Sequence, residues 1–399
     1  MLDKVDRFVH HVYMSTAYVQ PSSGITWSDP RRKFWTLGLI VPLLPFAAGG
    51  MVAATGSAWW WWLGPVLVYL LMPLLDTVLG RDSENPPEEV VKQLDADHFY
   101  RWVTYAYIPV QYGALVYGCW VWSSDQSMSW FAKLGLAITI GVVGGVAINT
   151  AHELGHKHPR LEQWLSKIAL AQTGYGHFFI EHNRGHHANV STPLDPASSR
   201  FGESFYEFLP RTVVGSLRSA LRLERQRCQR TNTPFWSLRN EIFNAWLMTV
   251  VLFGALIAVF GTSIVALLLV QAVFGFSLLE VVNYVEHYGL LRRQKADGRY
   301  ERCKPEHSWN ANHAASNMVL YQLQRHSDHH ANPTRRYQSL RHFDDVPQLP
   351  TGYAGMIVCA YIPPLFRKVM DHRVLDFYDG DPSKVNLHRR IQRKLGSDV

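Results

Sequence analysis

Cysteine is scarce and scattered: Cys119, Cys228, Cys303 and Cys359 form no CxxC pair. That spacing indicates neither a disulfide framework nor a cysteine-ligated metal centre, and it fits reduced thiols in a cytoplasmic setting. No GxGxxG follows a strand pattern, so the chain has no evident nicotinamide-binding turn, and it carries no iron–sulfur relay of its own. Residues 1–13 hold Asp3, Lys4, Asp6 and Arg7 without an apolar core, so no cleavable signal peptide is expected and the first apolar run should stay as an anchor. Obvious linkers and internal repeats are missing too.

Apolar residues are instead gathered into blocks. Six runs, 34–55, 59–79, 103–122, 134–151, 242–260 and 264–282, have the length a helix needs to cross roughly 30 Å of hydrocarbon. The mean hydropathy of −0.08 hides them, because polar segments dilute the average. The expected fold is all-α and integral to the membrane, with six transmembrane helices and a cytoplasmic cap of helices and loops. Four segments follow: 1–156 with helices 1–4, 157–241, 242–287 with helices 5–6, and 288–399.

Orientation comes from charge. The connections 56–58, 123–129 and 261–263 contain no Lys or Arg, whereas Arg31, Arg32, Lys33, Arg81 and six arginines in 211–230 lie on the other side. The positive-inside rule then places both termini in the cytoplasm. Topology thereby accounts for the net charge of +7 without a nucleic-acid partner. The tryptophans at 59–62 suit the outer interface, while 161–180 and 356–366 are shorter apolar stretches suited to packing on the bundle or lying along the interface. The basic stretch 384–394 reads as a solvated face or a lipid-headgroup contact.

Nineteen histidines are many for this length; eight recur at helical spacing and a ninth stands alone at the end of a span. His152 and His156 close the fourth run at i, i+4. His182 and His186 share that spacing, with His187 about 100° round the helix. His326, His329 and His330 follow at i, i+3, i+4, and His287 ends the sixth run. Six spans deliver all four segments to one membrane face. One metal takes four to six donors, so nine imidazoles imply two ions. His158, His177, His307, His313 and His342 lie nearby but lack that spacing, and His10, His11, His98, His372 and His388 have no partners.

His152-Glu-Leu-Gly-His156 also matches HExxH, the zinc-protease helix, but a protease would leave six clustered histidines unused. A membrane metal transporter would string its ligands along a pathway rather than gather them at one end. Two divalent ions on neutral imidazoles need nearby negative charge, and Glu153, Glu181, Asp195, Glu286 and Asp328 adjoin the ligand segments. Some of them are expected to orient ligand N–H groups.

The runs His152-Glu-Leu-Gly-His-Lys157, Glu181-His-Asn-Arg-Gly-His-His187, Asn283-Tyr-Val-Glu-His-Tyr-Gly-Leu290 and Leu323-Gln-Arg-His-Ser-Asp-His-His330 resemble those of the membrane alkane monooxygenases, in the histidine-rich superfamily of desaturases and hydroxylases. The continuation Thr192-Pro-Leu-Asp-Pro-Ala-Ser-Ser-Arg200 resembles the alkane branch specifically. The resemblance implies two non-haem iron ions on the nine histidines. It also implies terminal hydroxylation of a medium-chain n-alkane with O₂ and two electrons, in a bacterial inner membrane. Rubredoxin, reduced by rubredoxin reductase and NADH, is the implied donor, with Arg222, Arg225, Arg292 and Arg293 as candidate docking charges. A fatty-acyl desaturase or hydroxylase is the nearest alternative.

Overall fold

The computed structural model describes residues 17–20 and 24–397; His10, His11 and the charged residues of 1–13 lie outside them. The described residues are mostly helical, with one hairpin, β1 (Ala17–Gln20) against β2 (Ile25–Ser28). Among the described residues five helices are long and apolar enough to cross a bilayer: α1 (Arg32–Thr55), α2 (Ala58–Leu79), α4 (Trp130–Gly155), α7 (Glu241–Phe260) and α8 (Thr262–His287).

The expected third span falls inside α3, a 27-residue helix over His98–Ser124 that is long enough but outside that apolar set. Its polar side chains explain the difference. Gln111 donates to the Ala169 carbonyl at 2.9 Å, Tyr107 to the Val143 carbonyl at 2.9 Å and Tyr112 to the Ile168 carbonyl at 2.7 Å. One face of α3 is thus committed to hydrogen bonds with α4 and α5 (Arg160–Ala171).

Burial sorts the apolar helices. In α4 the most apolar stretch is 78% buried and in α8 56%, against 17% for α2 and α7. The two histidine-ended helices therefore form the centre, and the others turn large apolar side chains outward. Small residues let α4 and α8 approach. A Cβ at Gly275 would lie 2.9 Å from Thr173 Cγ2 and 3.1 Å from the Gly141 carbonyl oxygen. A longer side chain there would wedge the central pair apart, and overpacking of this kind typically costs about 1–3 kcal/mol. Gly275→Leu is accordingly expected to lower the thermal unfolding midpoint in detergent; an unchanged midpoint would mean the helices can part without penalty.

The rest of the described chain lies outside this apolar set. It includes α6 (Phe205–Arg230), opened by a Ser204–Glu207 capping box. It also includes α9 (Ala314–Val319), α10 (His326–Ala331), α11 (Tyr353–Ala360) and α12 (Pro363–Phe377). The apolar stretch 356–366 packs mainly through α11 on α8 and α2.

Candidate metal centre

The four histidine-bearing segments converge in two groups. The ring nitrogens of His152, His156, His182, His187 and His329 lie within 4.8 Å of one another, as do those of His186, His287, His326 and His330. Every histidine at helical ligand spacing is in one group or the other. Seven of these rings are buried, while His156 and His187 keep partial exposure.

The division between the groups differs from the simple helical reading. An α-helix would put His182 beside His186, but residues Glu181–His186 form a π-helical turn. In that wider turn i and i+5 come together, and His182 Nε2 sits 3.1 Å from His187 Nε2. Neighbouring residues His186 and His187 consequently serve different groups. The short α10 does the same over one turn, sending His326 and His330 to one group and His329 to the other.

The spacing suits shared cations. Two imidazole nitrogens each about 2.1 Å from one ion and at right angles lie roughly 3 Å apart. The Nε2 atoms of His152 and His329 are 2.8 Å apart, His156 and His182 3.1 Å, His187 and His329 3.1 Å, His287 and His326 3.3 Å, and His326 and His330 2.9 Å. Burial, reinforced by the neighbouring imidazoles, holds His182, His326, His329 and His330 far below the usual histidine range. They are therefore neutral donors at physiological pH.

The five carboxylates diverge in role. Asp195 accepts from His186 Nδ1 at 2.9 Å and from Ser198 Oγ at 2.6 Å. This fixes the tautomer: Nδ1 carries the proton, and the buried Nε2, which has no hydrogen-bond partner, presents its lone pair to the group. Although burial pushes the Asp195 carboxyl up, His186 and Ser198 hold it below its ordinary value. Glu286 is placed differently, with Oε2 3.3 Å from His326 Nε2. It approaches the donor side of the ring, not its back. Glu153 pairs with the buried Lys157 at 3.1 Å and accepts from the Tyr337 amide. Asp328 accepts from Asn332, Arg335 and the Arg341 amide. Glu181 is buried with Oε1 unpartnered. Among the described residues these three make no hydrogen bond to the nine imidazoles.

An apolar cavity adjoins the groups. Its walls include Val41, Leu67, Val146, Leu279 and Val319, and it touches Asn149, Val282 and Leu323. These last three lie close in sequence before His152, His287 and His326 respectively.

Comparison with known proteins gives this arrangement its context. The fatty acid desaturase family model matches residues 128–359. The chain is 50% identical to an alkane 1-monooxygenase of Pseudomonas putida, over 92% of this chain and 90% of that protein. Alkane 1-monooxygenase 1 of Alcanivorax borkumensis is 49% identical, over 90% and 89%. The chain belongs to the alkane 1-monooxygenase family. A more distant relative, the hydroxylase component of a Pseudomonas putida xylene/toluene monooxygenase, is 24% identical over 71% of the chain. Family membership makes the protein an oxidoreductase.

Within this family frame the remaining histidines and arginines find other positions. His177 is buried against Tyr175 and Trp246, away from both groups. His342 bonds Asn312 and Asp344. His307 gathers with Glu301 and Glu306, a grouping that sequence spacing does not reveal. Its Nδ1 accepts from the Lys304 amide at 2.9 Å, so the neutral ring carries its proton on Nε2, toward the two carboxylates; that state is unsuited to a cation. Arg292 corrects the sequence reading. It is 6% exposed and donates to the Ala188, Val190 and Glu301 carbonyls, so it cannot be a docking charge. It ties the chain beyond His187 to the chain beyond His287. Arg222, Arg225 and Arg293 are exposed.

Proposed function

We propose that this protein hydroxylates the terminal carbon of a medium-chain n-alkane, consuming O₂, two electrons and two protons and giving a 1-alkanol and water. The observation that carries the reading is two groups of closely packed, mostly buried imidazoles beside an apolar cavity. An unactivated C–H bond has no acidic proton and no carbonyl to polarise, so acid–base catalysis has nothing to act on. The nine histidines His152, His156, His182, His186, His187, His287, His326, His329 and His330 would hold two irons, which supply O₂ activation and electron transfer when bound. The chain itself binds the hydrocarbon in a dry cavity and orients its end toward the donors. It also sets the His186 tautomer through Asp195.

The proposed topology has six spans, counting α3, with both termini and the histidines on the cytoplasmic side of an inner membrane. The six arginines between 211 and 230 and the absence of Lys and Arg from the connections 56–58, 123–129 and 261–263 support it. Rubredoxin, supplied by its reductase and NADH, is the proposed donor, since the chain has no evident nicotinamide or iron–sulfur site. Exposed Arg222, Arg225 and Arg293 are its proposed docking charges. Reversing Arg222 and Arg225 to Glu is expected to lower kcat/KM for rubredoxin several-fold at low salt, with the gap closing as ionic strength rises. A salt-independent loss, or none, would place docking elsewhere.

Metal content and product analysis test the whole reading. Purified protein supplied with octane or dodecane, O₂, NADH, rubredoxin and its reductase should contain two irons per chain and yield the 1-alkanol. Two irons with an alkene from an acyl substrate would favour a desaturase, a second reading that the fatty acid desaturase match supports. One zinc and no oxidation would overturn both.

A further inference from the structure

Outside the cavity beside the histidines lies a second apolar space, a groove of about 580 Å³ on the outer surface of the bundle. Ile138 of α4, Leu269, Val273 and Phe274 of α8, Tyr69 of α2 and Tyr361 line it. Leu269 is 58% and Val273 53% exposed, on a helix apolar enough to cross a bilayer, so the groove faces lipid.

Groove and cavity are lined by neighbouring residues of the same elements. Val68 lines the cavity and Tyr69 the groove; Leu278 lines the cavity and Ser277 the groove; Ile357 lines the cavity and Tyr361, one turn later, the groove. Val68 and Phe274 pack in one cluster yet remain partly exposed. Two phenols of the groove lining meet. Tyr69 and Tyr361 hydroxyls are 3.3 Å apart and their rings meet edge to face. Both phenols sit where the α-helix is interrupted: Tyr69 in a π-helical turn, Leu67–Leu71, and Tyr361 just after α11 and before Pro363 and Pro364.

We propose that this groove is an access site for a linear alkyl chain from the bilayer, which passes between Val68 and Phe274 into the inner cavity when the Tyr69–Tyr361 latch opens. The inference rests on the alkane reading above. It commits to hydrocarbon because the lining is apolar and packs, through Val68 and Phe274, against the cluster that walls a cavity apolar in turn. The outgoing alcohol can hydrogen-bond either phenol, so the product competes for the latch that the substrate only displaces.

Filling the groove tests the route. In holoenzyme reconstituted into nanodiscs, Val273→Trp and Leu269→Trp should raise KM for dodecane about tenfold or more with kcat and iron content unchanged. Val250→Trp, equally lipid-facing on α7, should leave KM alone. Tyr361→Phe, which removes only the hydroxyl, should raise kcat/KM about two- to tenfold, the range of one net hydrogen bond. A dodecane carrying a diazirine should label Val273 or Phe274, and unlabelled dodecane should suppress that labelling. The proposal falls if the groove variants move KM no more than Val250→Trp, or if the label is not competed, which would mark a lipid-tail site only. Failure of the wild type to oxidise any alkane, with competed labelling intact, would instead overturn the reaction and leave the groove.

Discussion

His329→Ala is expected to remove at least one iron per chain and to abolish alkane hydroxylation, with loss beyond about a hundredfold. This imidazole is fully enclosed and central to its group: its Nε2 faces His152 at 2.8 Å and His187 at 3.1 Å. Alanine would leave the remaining four donors around a void and expose an ion to an incomplete shell. Affinity for a structural metal amounts to about 10–16 kcal/mol in small zinc domains, so one donor in five is a large share of binding. The check is iron per chain by elemental analysis beside 1-alkanol formation. Full iron with full turnover would remove His329 from the ligand set, whereas His177→Ala, away from both groups, should retain both.

The second large effect falls on a residue that touches no metal in this reading. Asp195→Ala should cost 10–100-fold in iron affinity or turnover, the usual range for a group that orients a metal-bound histidine. Without the carboxylate, the His186 ring loses its Nδ1 acceptor and can take the other tautomer, placing a proton where the lone pair is needed. Asp195→Asn should retain more activity, since its amide oxygen can still accept from Nδ1. Equal loss in both variants would point to the charge, and no loss in either would reduce Asp195 to a turn-former that holds Ser198 and the Ala197 amide.

Much of the site was legible in the sequence because helical spacing and span topology are local signals. His152 and His156 share a group as i, i+4 predicts, and the ends of α4 and α8 meet as the span pattern requires. The pairing of His182 with His187 was not legible, since nothing in Glu181-His-Asn-Arg-Gly-His-His187 announces a π-helical turn; tertiary packing sets it. The acids show the same limit. Adjacency in sequence nominated five, yet only Asp195 and Glu286 contact the imidazoles, because which face a side chain takes depends on partners such as Lys157 and Arg335. Arg292 was misread for a related reason: a charge beside a span looks exposed until distant carbonyls enclose it. Cavity and groove walls draw on residues from Val41 to Tyr361, a long-range assembly that no sequence window contains.

The peptide bond joining His186 to His187 carries a consequence for how the centre fills. Consecutive Cα atoms are about 3.8 Å apart, so the two groups are tethered by a single rigid unit and cannot be positioned independently. An ion captured by either group freezes the turn that supplies the other, and the ordering entropy is spent only once. The second ion then meets a ready-made shell and binds more tightly than the first. Loading should therefore be cooperative, with singly occupied protein scarce throughout a titration.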